Sequence, residues 1–226
     1  MLKRCTDVAV AGVALLLLAP LLLVVGALVK LDGGPALFVQ ERLGRGRRPF
    51  RIYKLRTMRD GAVTRLGRVL RATGVDELPQ LVNVLRGDMS LIGPRPLTEA
   101  DVVRLGWHGP SHAARWSVRP GITGLAQLHA GRGARQSWFL DARYVRDGDL
   151  GLDLAIAGLS VAVVALGKRR VRAWLREHRR RLAARRAASA VAASRAPAAR
   201  PAPGSPPAAS PTPRLAAAWP SRATPS

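Results

Sequence analysis

Three scales of hydrophobic patterning follow one another along this chain, and the changes of scale mark its segments. From Val8 to Val29 the run VAVAGVALLLLAPLLLVVGALV is apolar without a break, long enough for a bilayer, which takes roughly 20 residues. Pro20 stands near its centre, Lys3 and Arg4 precede it, and Lys30, Arg42, Arg45, Arg47 and Arg48 follow. Basic flanks on both sides favour keeping both ends in the cytoplasm. A simple span and a cleaved signal peptide are the competing readings; the run exceeds a signal core, and no clear small-x-small cleavage site follows it. A helix broken at Pro20 that dips into the bilayer and returns on the same side satisfies the run and its flanks together, provided that protein covers the freed backbone.

Beyond the turn DGGP at Asp32 to Pro35, the period shortens to two. Leu37 and Val39, then Phe50 and Ile52, predict two short strands joined by the glycine- and arginine-rich turn of Gly44 to Arg48. Lys54 and Arg56 project from the second strand's end, where spacing alone makes them surface charges. A helical period takes over at Arg65 to Arg71 and again through Leu81, Val82, Val84 and Leu85. Pro79 fits only the first turn of that second helix, and Gly87-Asp88 ends it. MSLIGPRPL then reads as a strand or extended run closed by a proline pair around Arg95. Part of Leu97 to Trp116 and all of Trp138 to Tyr144 read as helix, with Asp141 as an exposed acid. Val118 to Gly133 is a glycine-punctuated loop that holds Arg119 beside a proline. Leu150 to Leu166 is apolar but interrupted by Gly151, Asp153 and Gly158, so it reads as a helix lying at the membrane interface. The expected fold is α+β: a small, mostly helical, membrane-associated domain with short strands, an N-terminal re-entrant helix hairpin and interfacial amphipathic helices.

Composition sharpens the boundaries. The formal charge is +23, from 37 Lys+Arg against 14 Asp+Glu, which calls for an anionic partner: acidic lipid, nucleic acid or a phosphorylated substrate. More than half of it, +13, falls after residue 167, so charge says little about the domain ahead. The segments are 1–31, a membrane helix; 32–167, the chemical domain; 168–186, a basic amphipathic surface helix; and 187–226, an Ala/Pro-rich tail with little to bury and an expectation of disorder. Cys5 is the lone cysteine, which excludes an intrachain disulfide and a cysteine-based zinc site within one chain. His108, His112 and His129 lack metal-ligand spacing.

The chemistry concentrates in RATGVDELPQLVNVLRGDMSLIGPRP, Arg71 to Pro96. Asp76 and Glu77 are adjacent, fall where a helix should begin, and stand among Arg71, Arg86 and Arg95. Neighbours on a helix point about 100° apart, so the two do not form a side-by-side acid pair. One carboxylate could attack phosphorus while the other holds Mg²⁺, an ion that takes one or two carboxylates plus substrate phosphates. An acidic first turn that merely complements the helix dipole is the plainer alternative. Arg95, stiffened by its prolines, suits a phosphate clamp or a structural salt bridge.

Taken in order, KRCTDVAVAGVALLLLAPLLL, FRIYKLRTM, GVDELPQLVNVLRGDMSLIGPRP, VRPGITGLAQ and FLDARYV resemble the bacterial sugar transferases, the monotopic phosphoglycosyl transferases, in their minimal form. The resemblance covers roughly residues 1–167. It implies transfer of a sugar-1-phosphate from a UDP-sugar to polyprenyl (undecaprenyl) phosphate through a covalent aspartyl-phosphosugar, initiating exopolysaccharide, O-antigen, capsule or glycoconjugate synthesis. It assigns Asp76 as nucleophile and Glu77 as the Mg²⁺ ligand. It adds Lys54 and Asp141 to the catalytic set, Arg71, Arg95, Arg119 and Arg132 to phosphate binding, and Pro20 to the membrane break. The implied place is the cytoplasmic face of the inner membrane, with membrane lipids, downstream glycosyltransferases and a second copy as possible partners and without nucleic acid. Two departures stand out: a shortened segment between Met58 and Arg65, and GLAQLHAGRG where the family commonly has GWAQVNGRN. The alternative from a different class is a non-enzymatic basic adaptor for anionic lipid or nucleic acid, to which Asp76 and Glu77 would be dispensable.

Overall fold

Residues 1–129, 133–167, 170, 171, 173, 174, 177, 180 and 181 are described by the structure, a computed structural model. The chain divides into two units, Met1–His178 and Arg179–Ser226. In the second unit the described residues are Arg180 and Arg181, both helical. The tail expected at 187–226 and most of the basic helix expected at 168–186 lie outside the described residues.

Helix α1 runs from Leu2 to Leu31 with Pro20 inside it. This is one helix where the sequence predicted two separated by a break. An internal proline removes one hydrogen bond and bends a helix without necessarily ending it, and the leucine- and alanine-rich flanks favour continuation. A stripe at three- and four-residue spacing, Ala11, Leu15, Leu18, Leu22, Val25 and Val29, packs on the domain. Leu16, Leu17, Leu21, Leu23 and Val24 are exposed.

Polar contacts tie both ends of α1 to the same unit. Arg4 donates to the carbonyls of Val84 and Leu85 at 2.6 and 3.1 Å, and Lys3 pairs with Asp153 at 2.6 Å. Buried Asp7 accepts from Ser90 Oγ at 2.8 Å and from the Leu91 amide at 3.1 Å. At the far end Arg56 and Arg59 each donate at 2.8 Å, to the carbonyls of Val29 and Asp32.

Strands β1 (Leu37–Leu43) and β2 (Pro49–Leu55) form the predicted antiparallel hairpin. Its turn places Gly46 and Arg47 in the left-handed region, at φ 65 and 59. The shortened segment after Met58 is a minimal hairpin, β3 (Met58–Arg59) and β4 (Ala62–Val63). Thr64 then caps α2 (Arg65–Thr73) by accepting from the Gly67 amide. Gly67 lies flush on the link between β2 and β3: a Cβ there would stand 2.1 Å from the Thr57 carbonyl oxygen. Helix α3 (Gln80–Arg86) stops at Gly87, φ 93.

The segment from Val118 to Gly133, predicted as loop, contains a strand and a helix. β6 (Gly121–Thr123) pairs in parallel with β5 (Ser90–Ile92), and α5 spans Leu125–His129. A Cβ on Gly121 or Gly124 would come within 2.1 Å of Gly93 backbone, so these glycines permit close chain approach rather than flexibility. Between the strands, α4 (Glu99–Leu105) starts from a Thr98–Asp101 capping box, and a 3-10 segment follows at Pro110–Ser117.

Helices α6 (Ala134–Asp147) and α7 (Leu150–Leu166) complete the unit. Asp153, read from the sequence as an interruption, is a buried anchor on α7. Besides Lys3 it accepts from Tyr144 Oη at 2.8 Å, which ties α1, α6 and α7 together.

Candidate functional site

Asp76 and Glu77 occupy a 3-10 turn, Val75–Glu77, between α2 and α3. The sequence placed them at a helix N-terminus; they stand one turn earlier. Gly74, at φ 78, reverses the chain after α2, and the Glu77 and Leu78 amides donate three residues back, to Gly74 and Val75. Pro79 has no amide hydrogen to extend the α pattern backward, so the turn stays tight.

Asp76 is buried, 8% exposed. Burial raises its pKa first, the neighbouring Glu77 charge raises it further, and Lys54 and Arg71 pull it back down. Lys54, at the end of β2, donates to Glu77 Oε1 at 2.7 Å with both side chains largely shielded. Arg71 is held by Nε donating to Thr57 Oγ1 at 2.8 Å, and Thr57 is itself buried against Gly67. The predicted set of Lys54, Arg71, Asp76 and Glu77 therefore converges in space.

A small cavity of about 10 Å³, room for roughly one water, is bounded by Lys54, Glu77, Arg95, Arg42, Ile52 and Gln80. Arg95 thus joins the site. Arg42 and Gln80 were not foreseen as site residues. Arg42 donates to Pro96 O at 3.3 Å, Asp101 at 3.2 Å and Gln40 at 2.6 Å, and burial lowers its pKa. Its sequence signal was faint, because it counted only as a basic flank of the apolar run. Gln80 is 2% exposed, on the first residue of α3.

Asp141 does not project into solvent as the sequence suggested. It is buried, pairing with Arg115 at 2.9 Å, and burial raises its pKa against the pull of that arginine. Arg115 lies over the Trp107 and Trp116 rings, 5.5 and 5.1 Å from their centroids, and its Nη2 donates to the Arg95 carbonyl. Asp141 therefore reaches the site through Arg115 and the Arg95 backbone. No spacing signal pointed to Arg115. Trp107 and Trp116, the rings around it, were the visible hint of a shielded cation.

Arg119 does not line the cavity of Lys54 and Glu77. Its Nε donates to Gly87 O at 2.7 Å, and it borders a larger cavity of about 570 Å³ with Arg45, Arg48 and Arg86. Arg132 lies outside the described residues.

No group of three or more His, Cys, Asp or Glu is arranged to hold a metal among the described residues. Glu77 with Asp76 beside it does suit a hard cation of the kind that takes one or two carboxylates and completes its shell with phosphate and water. The chemical content of the site is one shielded carboxylate, a second carboxylate paired to a lysine, and arginines facing them: a place for an anionic, phosphate-bearing substrate.

A family model described as bacterial sugar transferase matches residues 1–167. A UDP-glucose:undecaprenyl-phosphate glucose-1-phosphate transferase of Caulobacter vibrioides is 46% identical over 176 residues, 68% of this chain and 66% of that protein. A UDP-N-acetylgalactosamine-undecaprenyl-phosphate N-acetylgalactosaminephosphotransferase of Aeromonas hydrophila is 40% identical over 74% of this chain and 44% of its own length. The exopolysaccharide production protein PSS of Rhizobium leguminosarum bv. phaseoli is 40% identical over 74% of this chain and 97% of its own. The match thus spans just under two thirds of the first of these relatives, under half of the second and nearly all of the third.

Proposed function

The chain belongs to the bacterial sugar transferase family, and on that premise we propose that it transfers a sugar-1-phosphate from a UDP-sugar to undecaprenyl phosphate, with Asp76 as nucleophile. The observation that carries this reading is the shielded Asp76 carboxylate, with its pKa raised by burial and Glu77, next to the Lys54–Glu77 pair.

In the first step an Asp76 oxygen attacks the β-phosphorus of the donor. The bond between that phosphorus and the α,β-bridging oxygen breaks, and UMP leaves with the electron pair. In the second, a phosphate oxygen of the lipid attacks the same phosphorus and displaces the Asp76 carboxylate, giving the lipid diphosphosugar. Shielding makes the carboxylate less solvated, while Lys54 and Arg71 favour its ionised form. Arg95 and Arg42 face the phosphate charge that moves during transfer. Glu77 would hold Mg²⁺, which when bound would neutralise phosphate charge. An intermediate on the protein lets a soluble donor and a lipid acceptor use one phosphorus site in turn.

The two tied ends of α1 support a re-entrant arrangement at the inner membrane's cytoplasmic face. Both ends make polar contacts to one domain, and a straight crossing would draw one set of those contacts into hydrocarbon. The test is incubation of membranes holding the full chain with Mg²⁺, undecaprenyl phosphate and a panel of UDP-sugars. UMP release from one donor, lost in Asp76→Asn, is expected, with a labelled sugar phosphate trapped on Asp76 when acceptor is omitted. Full turnover by Asp76→Asn would sink the mechanism.

A further inference from the structure

Two buried donors close to Asp76 and Glu77 are left without an acceptor. We propose that Gln80 is a further catalytic residue of the transfer, donating its carboxamide N–H to one non-bridging oxygen of the phosphoryl group in flight, with the Nε–H of Arg42 as a second donor. Such a role rests on the transfer mechanism.

Among the described residues, buried side-chain nitrogen and oxygen atoms without a hydrogen-bond partner belong to Arg42, Gln80 and Gln127. Two of these three side chains line one cavity, the small one bounded by Lys54 and Glu77. Buried polar groups in folded proteins are paired in the great majority, and an exception calls for a reason. Gln80 is 2% exposed, and Nε2 is its unpaired atom. Arg42 is fixed through its other nitrogens, Nη1 on the Pro96 carbonyl and Asp101 and Nη2 on Gln40, which leaves Nε over.

The cavity restricts what these donors can take. At about 10 Å³ it admits one oxygen-sized group, so a whole phosphate is too large and one of its oxygens is not. Arg42, Lys54 and Arg95 face it against the single carboxylate of Glu77, which favours an oxygen that carries negative charge. Ile52 and Ile122 close the rest of the wall, and donors held beside apolar surface act more strongly than donors in water.

Backbone geometry connects Gln80 to the reacting pair. Leu78 and Pro79 keep helical angles between the 3-10 turn and α3. Gln80 therefore follows Asp76 by four residues and Glu77 by three along one helical turn, spacings that share a face. A phosphorus bonded to Asp76 can rest one oxygen in the cavity. That oxygen stays on phosphorus through both steps, so the bonds made and broken are those of the transfer itself. Its charge meets N–H groups that are already oriented and need no reorganisation. An amide whose work was to support the fold would be paired within it; an unpaired one weakens the free protein and is satisfied when substrate arrives.

The test uses the full chain in detergent micelles with Gln80→Met and Gln80→Leu, which remove the donor and keep most of the volume. Turnover of a UDP-sugar should fall about tenfold or more in kcat, with donor KM changing by a smaller factor. The melting temperature should stay level or rise, because an unpaired donor leaves the interior. Turnover kept by both variants, or a melting temperature lowered in both, overturns the role. A second arm needs no turnover: inorganic phosphate, at matched ionic strength, is titrated into Asp76→Asn, which cannot form the adduct, and into the same chain carrying Gln80→Met as well. Phosphate should raise the melting temperature of the first, and that of the second by half as much or less; equal rises overturn the contact. The two readings fail separately. Wild type that turns over no UDP-sugar while phosphate behaves as expected sinks the transferase reading and leaves the oxygen site, whereas wild-type turnover that both Gln80 variants retain sinks the role of Gln80 alone.

Discussion

Arg115 donates from Nε to Oδ2 of Asp141 across 2.9 Å, with both side chains all but excluded from water. The same guanidinium donates to the Arg95 carbonyl, so a buried ion pair sets where Arg95, on the wall of the Lys54 and Glu77 cavity, stands.

Asp141→Ala strands that arginine between two tryptophans without a counter-charge, and breaking a buried pair by one partner costs about 3–5 kcal/mol. Chemical denaturation should show a loss of that order. Asp141→Asn keeps a hydrogen-bond acceptor and should lose less. In the proposed mechanism Arg95 faces the donor's phosphate rather than the nucleophile, so the donor KM of the Asn variant should rise by a larger factor than its kcat falls.

In the proposed mechanism Asp76 attacks as the ionised carboxylate, and burial together with the Glu77 charge, which raise its pKa, should shift the acid limb of the kcat/KM profile upward from that of an ordinary aspartate. Lys54 lowers that pKa, so Lys54→Met should move the limb of the residual activity to higher pH. A limb that stays in place would separate Lys54 from the nucleophile.

The same shift has a stability sign. An acid whose folded pKa is raised holds its proton better when folded, so its favourable contribution is complete below the unfolded pKa and lost as pH rises through the folded one. Wild type should therefore lose stability relative to Asp76→Asn across that window. At neutral pH Asp76→Asn should melt higher than wild type.

Gly67→Ala drives a methyl group into the Thr57 backbone, which carries the hydroxyl that holds Arg71. Turnover should fall at least tenfold and the melting temperature with it. Gly158→Ala, on α7 with open space at the new methyl, should be neutral or stabilising by about 0.5–1 kcal/mol. If the two glycines respond alike, the close approach at Thr57 is not what constrains Arg71.

Cys5 is exposed and is the chain's one cysteine, so topology is directly measurable. In intact spheroplasts an impermeant maleimide should label neither Cys5 nor, in a Cys5→Ser background, Pro35→Cys. Both should react after lysis. Labelling of one end before lysis would mean a full crossing.

Local pattern carried the sequence reading far where neighbours in sequence are neighbours in space. The hairpin of β1 and β2 and the place of Asp76 and Glu77 between two helices could be read from periodicity and from Pro79. Contacts across long separations could not. Asp141 looked solvated because α6 gives no hint that Arg115, 26 residues earlier, covers it. Gly121 and Gly124 read as loop punctuation, yet they are the thin places where β6 lies on Gly93. Arg119 shares a proline-stiffened setting with Arg95 but serves a different cavity, a distinction made by tertiary packing alone. Pro20 signalled a break, and the helix continued through it.

Ala11, Val25 and Val29 belong at once to the apolar first helix and to the clusters that enclose Ile52, Leu55 and Leu70. Cutting the chain at Asp32 would remove part of the interior along with the anchor. Such a truncation should yield an insoluble or molten product rather than a folded soluble domain, so cleavage there would dismantle the unit instead of releasing it intact.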